Sequence, residues 1–526
     1  MPDDTLVDAM AGILNSARLD KLMSASSAWF AEDSLRGGGR ARLAGAVFLV
    51  VALFHLLGTW SLPLIDRDEP RFAEAAREMI ERDDYIVPYF NDDYRFDKPP
   101  LIYWLMCASY GLFGETDFAA RLPSVLAAAA ICALLFLWGV DAFGSYQRAL
   151  LAAALFGTCL QTFMHARAAV ADMVMILFMS GAYWVGWRLL EARSAPAARQ
   201  LAMWAVFAVC LGLGFLTKGP VAWLPLLPLL AMGAVMKRGW AFQLAGVASL
   251  LAAAGLVLVW AVPALRMTDG EYFDVGIGKH VVQRSLDVME GHGAGDALGY
   301  IALLPLYFVT VFISFFPGSL LLPAHVRSLW RRRPGRFSLY LGLQVLLVFV
   351  VFSLLKTKLP HYTLPAFPAL AMWLALQLGD NPRLIRRFSK TAIWSSGVLA
   401  ALALALFPLL ARLTPSHQLA AMAADSFTPD MRFASVEYVE PSLVWYLRAH
   451  TDGFHKKRKP AEAAEYLERD GARALVTPSA LVDQLGDLSG YRIIQAEGLN
   501  IAKGDWLDLT MVVKREARQP PADHSP

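Results

Sequence analysis

Residues 43–72 read LAGAVFLVVALFHLLGTWSLPLIDRDEPRF, and the abrupt change of character inside that stretch decides the fold. The first twenty residues are apolar, and about 20 helical residues suffice to cross the hydrocarbon core of a bilayer. Arg36, Arg40 and Arg42 precede them, which places the N-terminal side in the cytoplasm by the positive-inside rule. The run is too long and too far from residue 1 for an ordinary cleaved leader. Asp66-Arg67-Asp68-Glu69-Pro70-Arg71-Phe72 then packs acids and bases against the mouth of that span. Ionisable groups beside lipid are costly, so such a cluster marks a functional site.

Outward from this point the chain keeps the same character. Its 526 residues are 56% hydrophobic and only 18% charged, with a mean hydropathy of +0.44, which excludes an ordinary soluble protein of this length. Spans are expected at 43–62, 119–140, 149–164, 171–190, 201–216, 221–236, 243–262, 298–322, 339–355, 366–378 and 393–411. Residues 101–113 form a juxtamembrane, re-entrant or additional spanning piece, giving about 11 to 13 spans in all. The short loops richest in arginine and lysine, around Arg148, Arg193, Arg238, Arg331 and Arg386, then all fall on the cytoplasmic side. The net charge of +3 says little, and no nucleic-acid partner is expected. Cys107, Cys132, Cys159 and Cys210 lie inside apolar stretches and read as packing residues rather than disulfides or metal ligands.

This topology puts five polar segments on one outer face: 66–98, 165–172, 218, 279–284 and 356–362. Their convergence predicts a single cavity at that surface. After residue 411 the composition changes. Strands are expected at 432–437, 474–477, 491–495 and 507–513, and helices at 441–449 and 461–470, which together make a small α/β domain outside the membrane. The expected organisation is a cytoplasmic segment 1–42, a membrane domain 43–411 whose first outer loop is 63–100, and an outer α/β domain 412–526 with a polar tail.

The outer cluster holds the residue types needed to displace a phosphate from a lipid-linked group. Cations stabilise charge growing on a departing phosphate, and a carboxylate within reach of the attacking hydroxyl takes its proton. Asp68 opens a helix expected at 70–82 and is the candidate base, with helix capping as the plainer role. Glu69 and Arg71 crowd the same loop. Lys98 stands before Pro99-Pro100, a rigid support that suits a phosphate-binding lysine, although a lysine reaching to headgroups explains it as simply. His280 and Arg284 share a face if their segment is helical. Arg284 is a candidate phosphate clamp, while His280 with Asp97 is a candidate site for Zn²⁺ or Mg²⁺. Lys356 and Lys358 oppose the positive-inside trend, which favours anion binding. Tyr362 is placed to hydrogen-bond phosphate or to sit in an interfacial aromatic belt. Asp172 either pairs with Arg167 or, with His361, organises the acceptor or its loop.

Three motifs taken together, Asp-Arg-Asp-Glu-Pro-Arg-Phe at 66–72, Phe-Asp-Lys-Pro-Pro at 96–100 and Lys-x-Lys-x-x-x-Tyr-x-Leu-Pro at 356–365, resemble those of the GT-C glycosyltransferases. The chain is most similar there to the aminoarabinose transferases of lipid A and their protein-mannosyltransferase relatives. The resemblance implies a bacterial inner-membrane enzyme with a periplasmic site and periplasmic C-terminal domain. It implies inverting transfer of a sugar from an undecaprenyl phosphate carrier to lipid A or another envelope glycolipid. It also implies that Asp68 activates the acceptor, that Lys98 binds the donor phosphate, and that Arg71, Arg284 and Tyr362 lie near that phosphate. Phe72 stands where the family often has Tyr, and Asp97 where it often has Glu. A protein O-mannosyltransferase is the neighbouring alternative. A glycolipid flippase is disfavoured because the ionisable residues gather at one face rather than mid-membrane.

Overall fold

The computed structural model describes residues 39–276, 278, 297–331 and 334–514. Among these, seven helices are long and apolar enough to cross a membrane: Gly39–Leu56, Asp117–Phe143, Asp172–Glu191, Ala197–Lys218, Trp240–Met267, Arg336–Leu354 and Pro382–Ala411. Leu298–Ser314 and Gly318–Arg331 together are as long and apolar as a span but are bent by 108°, the form of a broken span or a re-entrant loop. The expectation of 11 to 13 spans counted continuous apolar residues, several of which fold as shorter or broken helices. Residues 149–164 become Tyr146–Gly157 and Leu160–His165, 221–236 become a 3₁₀ turn and Leu226–Val235, and 366–378 become Phe367–Leu378. The piece at 101–113 forms one short apolar helix, Leu101–Phe113.

Breaks in apolar helices are tolerated where other protein groups satisfy the freed backbone. The break before Leu160 and the break at Phe316-Pro317 do this for each other, since the Leu160 N–H donates to the Phe316 carbonyl at 2.9 Å. The first span also ends early. Its last turn is closed by Arg167, which donates to the Leu57 carbonyl and, at 2.6 Å, to that of Phe54. Gly58 then turns with φ of +77°, and a Cβ there would run into the Ala403 carbonyl of the last span. Only glycine meets both demands.

The C-terminal region folds around a five-stranded mixed sheet. Its strands run in the order Lys456–Arg458, Arg432–Val436, Arg473–Pro478, Asp505–Lys514 and Arg492–Asn500. The first three are parallel and the last two antiparallel. The edge strand Lys456–Arg458 is three basic residues with little intrinsic strand preference, and it has no counterpart among the expected strands. Helix Pro441–Arg448 lies against helix Asp68–Arg82, the first helix outside the membrane.

Candidate active site

The loop that joins the first span to helix Asp68–Arg82 is held on both sides of Asp68. Upstream, the Asp66 carboxylate accepts the Ser442 N–H at 2.7 Å and its hydroxyl at 2.5 Å. Burial pushes the Asp66 carboxyl up to about 6, while the two Ser442 hydrogen bonds and Arg71 oppose that rise and Glu440 adds to it. Downstream, buried Glu69 forms a two-pronged pair with Arg121, Nε to Oε1 at 2.9 Å and Nη2 to Oε2 at 2.8 Å. Glu69 also accepts the backbone N–H groups of Ile65 at 2.8 Å and Ala169 at 2.7 Å. Arg121 in turn donates to the carbonyls of Thr59, Leu62 and Pro63. Fork-to-fork geometry of this kind is the strongest form of the arginine–carboxylate pair.

Asp68 stands between these two fixed carboxylates as the first residue of the helix, and it is exposed. Among the described residues its side chain makes no hydrogen bond, so the capping role is not taken. Arg71, one turn on and half-buried, has no ion pair among the described residues.

A second segment, 95–98, borders the same space. Buried Arg95 donates to the Tyr103 hydroxyl at 3.1 Å and pairs with Asp97 at 2.8 Å. Burial disfavours its guanidinium, but the neighbouring Tyr103, Asp97 and Asp68 outweigh this and hold its pKa above the ordinary arginine value. Asp68 therefore lies within electrostatic reach of the pair made by Asp97. The Lys98 ammonium donates to the Asp97 carbonyl at 2.9 Å, and the Lys98 carbonyl accepts the Tyr272 hydroxyl at 2.7 Å. Tyr272 packs edge-on to Phe96 and to Trp260 of the Trp240–Met267 span, which fixes the Lys98 backbone to the membrane domain.

The far side of the rim comes from three other elements. Asp172 pairs with Lys218 at 2.6 Å rather than with Arg167, whose guanidinium is used on the end of the first span. The His165 and His361 rings lie 4.9 Å apart, and Tyr362 packs on Phe352 and His361. Ala169, bound by Glu69, lies three residues before Asp172, so the Glu69–Arg121 clamp joins this side to the Asp68 loop. Lys356 is exposed. Lys358 is buried, and its ammonium donates to the carbonyls of Ser353 and, at 2.6 Å, Leu355, closing the end of helix Arg336–Leu354.

Of the five polar segments expected to converge, 66–98, 165–172, 218 and 356–362 are linked in this chain of contacts. His280 and Arg284 lie outside the described residues. For the candidate metal pair, Asp97 faces Arg95, with which a bound cation would compete. Among the described residues no group of three or more His, Cys, Asp or Glu is arranged to hold a metal ion. Arg121, Arg95, Tyr272 and Ser442 were not singled out in the sequence. Arg121 carried a usable signal, an arginine in the first turns of an otherwise apolar span.

Residues 97–265 match the family described as dolichyl-phosphate-mannose-protein mannosyltransferase. The chain is 32% identical over 379 residues to the undecaprenyl phosphate-α-4-amino-4-deoxy-L-arabinose arabinosyl transferase of Pectobacterium carotovorum subsp. carotovorum, covering 70% of this chain and 65% of that protein. It is 31% identical over 379 residues to the same-named protein of Aeromonas salmonicida, covering 71% and 66%. The matched stretch thus spans just under two thirds of the length of these relatives. The crystal structure of ArnT from Cupriavidus metallidurans bound to undecaprenyl phosphate superposes with a TM-score of 0.72 at 18% identity, covering 92% of this chain and all of that one. Sequence identity of 31–32% over about 70% of the chain relates the protein to the lipid A aminoarabinose transferases and, through residues 97–265, to the dolichyl-phosphate-mannose-protein mannosyltransferases, and over nearly its whole length it shares the fold of the Cupriavidus metallidurans structure.

Proposed function

We propose that this protein is an inverting glycosyltransferase of the bacterial inner membrane. It moves an aminoarabinose-like pentose from undecaprenyl phosphate to lipid A or another envelope glycolipid at the periplasmic face. The names of its relatives supply the donor class. The observation that carries the reading is Asp68 itself: an exposed carboxylate at a helix N-terminus, set between two carboxylates already committed to Ser442 and Arg121, and within electrostatic reach of Arg95 in the segment that carries Lys98.

In this reading the acceptor hydroxyl attacks the anomeric carbon from the face opposite the phosphate. Its oxygen forms the new bond, its proton passes to Asp68, and the sugar–phosphate C–O bond breaks with its electron pair going to the phosphate oxygen. The departing undecaprenyl phosphate gains negative charge, which Lys98 and Arg71 stabilise, joined by Arg284, Tyr362 and Lys356. A fixed cation at the site of developing charge is worth far more than the same cation in water. Glu69 acts as the support that keeps Asp68 in place. Asp172, with Lys218, His165 and His361, organises the acceptor side. Lys358, whose ammonium is held by backbone carbonyls, serves the rim's structure.

The test is mass spectrometry of envelope lipids from cells carrying the intact protein, Asp68→Ala or Lys98→Ala. Both variants are expected to insert normally and to lose one discrete sugar-mass addition. Undiminished modification in both overturns the site. Sugar found on periplasmic protein with lipids unchanged favours the mannosyltransferase reading. In sealed vesicles, carrier moved across with its sugar retained favours a flippase.

A further inference from the structure

Among the described residues the C-terminal domain touches the membrane domain in several places, including a pair of hydrogen bonds between Asn91 and the His455 backbone at 3.0 and 2.7 Å. One is a buried ionic junction. Arg448 donates to Glu74 at 2.6 Å and to Glu81 at 2.8 Å, Glu74 also pairs with Arg77 at 2.8 Å, and the Arg77 guanidinium lies 3.8 Å over the Trp445 ring. Opening that junction would strand several buried charges.

Another contact, made by Glu440, Ser442 and Tyr446, reaches the loop ahead of Asp68 and, through Tyr446 and Trp445, also Asp117 of the span Asp117–Phe143. The Leu64 N–H donates to the Tyr446 hydroxyl at 2.7 Å, and that hydroxyl donates to Asp117 at 2.8 Å. Asp66 is held by both donors of Ser442, whose hydroxyl also reaches Ser416 at 2.8 Å. Arg67 lies 3.8 Å from Glu440, itself paired with Lys503. Residues 64, 66 and 67 are thus fixed by the soluble domain within four residues of Asp68. The Arg448 junction acts elsewhere, since its partners Glu74 and Glu81 lie about 9–20 Å from Asp68 along helix Asp68–Arg82 at 1.5 Å per residue.

We infer that the soluble domain is a working part of the transfer site: Ser442 is a positioning residue that sets Asp66, and through Asp66 the direction of the Asp68 carboxylate. This inference rests on the proposal that Asp68 is the base. An error of about 1 Å in a reacting group costs on the order of 100-fold in rate, so a hydrogen-bonded brace two residues away has a measurable task.

The test uses the full chain in lipid nanodiscs, with undecaprenyl phosphate-aminoarabinose as donor and lipid A as acceptor. Ser442→Ala is expected to lower kcat by about 10- to 100-fold while leaving the donor KM within about twofold, since Lys98 is untouched. Ser442→Thr keeps both donors and is expected to restore most of kcat. A pH profile separates positioning from general loosening. The groups facing Asp66 are Ser442, Tyr438 and Glu440 from the soluble domain, with Lys503 acting through Glu440, and Arg67 and Arg71 from its own segment. Only the ionised carboxylate accepts both Ser442 donors, so the brace holds above about pH 6 and is lost as pH falls through that value. Ser442→Ala keeps the backbone N–H bond but removes the hydroxyl bond that favours the ionised Asp66, which raises the Asp66 pKa further. The acid limb of kcat should therefore move to higher pH in Ser442→Ala and disappear in Asp66→Asn.

Parent kcat and an unshifted acid limb in Ser442→Ala, with Asp68→Ala inactive, overturn the inference and leave the transferase reading standing. Full turnover by Asp68→Ala overturns the reading beneath it. If Ser442→Ala does not fold, as judged by its thermal midpoint, Ser442→Thr and Asp66→Asn decide. Low kcat in Ser442→Thr with parent KM, or an acid limb retained in Asp66→Asn, rejects the inference.

Discussion

The two lysine-bearing stretches of the outer rim, 96–100 and 356–362, carry similar motifs and use lysine in opposite ways. At 96–100 the backbone is fixed by others, through Pro99-Pro100 and the Tyr272 hydroxyl, and the Lys98 side chain is carried on that support. At 356–362 the Lys358 side chain is itself the support, its ammonium turned onto the last carbonyls of helix Arg336–Leu354. The same contrast separates neighbours in the first loop: Glu69 is consumed by Arg121 and two N–H groups, and Asp68 is exposed beside it. Lys98 also donates to the Asp97 carbonyl beside it, but Lys358 is the lysine that closes the end of a span, and there it holds the fold.

The largest effects should fall on the groups left to act. Asp68→Asn keeps size and polarity but removes the base, and should lower kcat about 10²- to 10⁴-fold. Lys98→Met should cost about 10²- to 10³-fold, read as kcat and KM for the prenyl phosphate donor. Next comes the clamp. Arg121→Gln leaves Glu69 buried without its partner and should destabilise the membrane domain by about 3–5 kcal/mol, measured as a fall in thermal midpoint in detergent. If Glu69→Gln instead abolished turnover with an unchanged midpoint, Glu69 would belong with Asp68 and the contrast would fail.

Why the sequence separated some of these residues and not others follows from the range of the interactions. The long apolar helices and the alternation of strands and helices after residue 411 are local patterns, and they were legible. So was the gathering of ionisable residues on one face, because it follows from counting spans in order. What distinguishes Asp68 from Glu69 is not local. The partners of Glu69 stand 52 and 100 residues away, and Ser442 stands 376 residues from Asp66. Glu440-Pro441-Ser442 reads only as a helix start, and Lys358 as one more outer-face lysine. Asp172 reads in the sequence as a partner of Arg167 or as an organiser of the acceptor loop, and Lys218 escapes notice as its partner because it ends a different span. Broken helices were counted as whole ones because apolar composition alone does not show where a turn opens.

A smaller effect should come from Lys358→Met. The change removes charge-assisted hydrogen bonds to the helix end, worth about 1–3 kcal/mol, so the thermal midpoint should fall while kcat at a permissive temperature changes by less than about threefold. A loss comparable with that of Lys98→Met would erase the difference between the two stretches.

The smallest effect sharpens the comparison from the other side. Lys356 is exposed at the rim, and it has neither the backbone support of Lys98 nor the structural duty of Lys358. An exposed cation attracts an anionic headgroup at long range, and that attraction is screened over about 8–10 Å at 0.1–0.15 M salt. Lys356→Ala should therefore raise the donor KM by only about two- to fivefold at low ionic strength, with kcat and midpoint unchanged, and the difference should vanish in high salt. A change in kcat that persists at high salt would mean that Lys356 touches the phosphate directly. The second stretch would then contribute to the chemistry as well as to the rim.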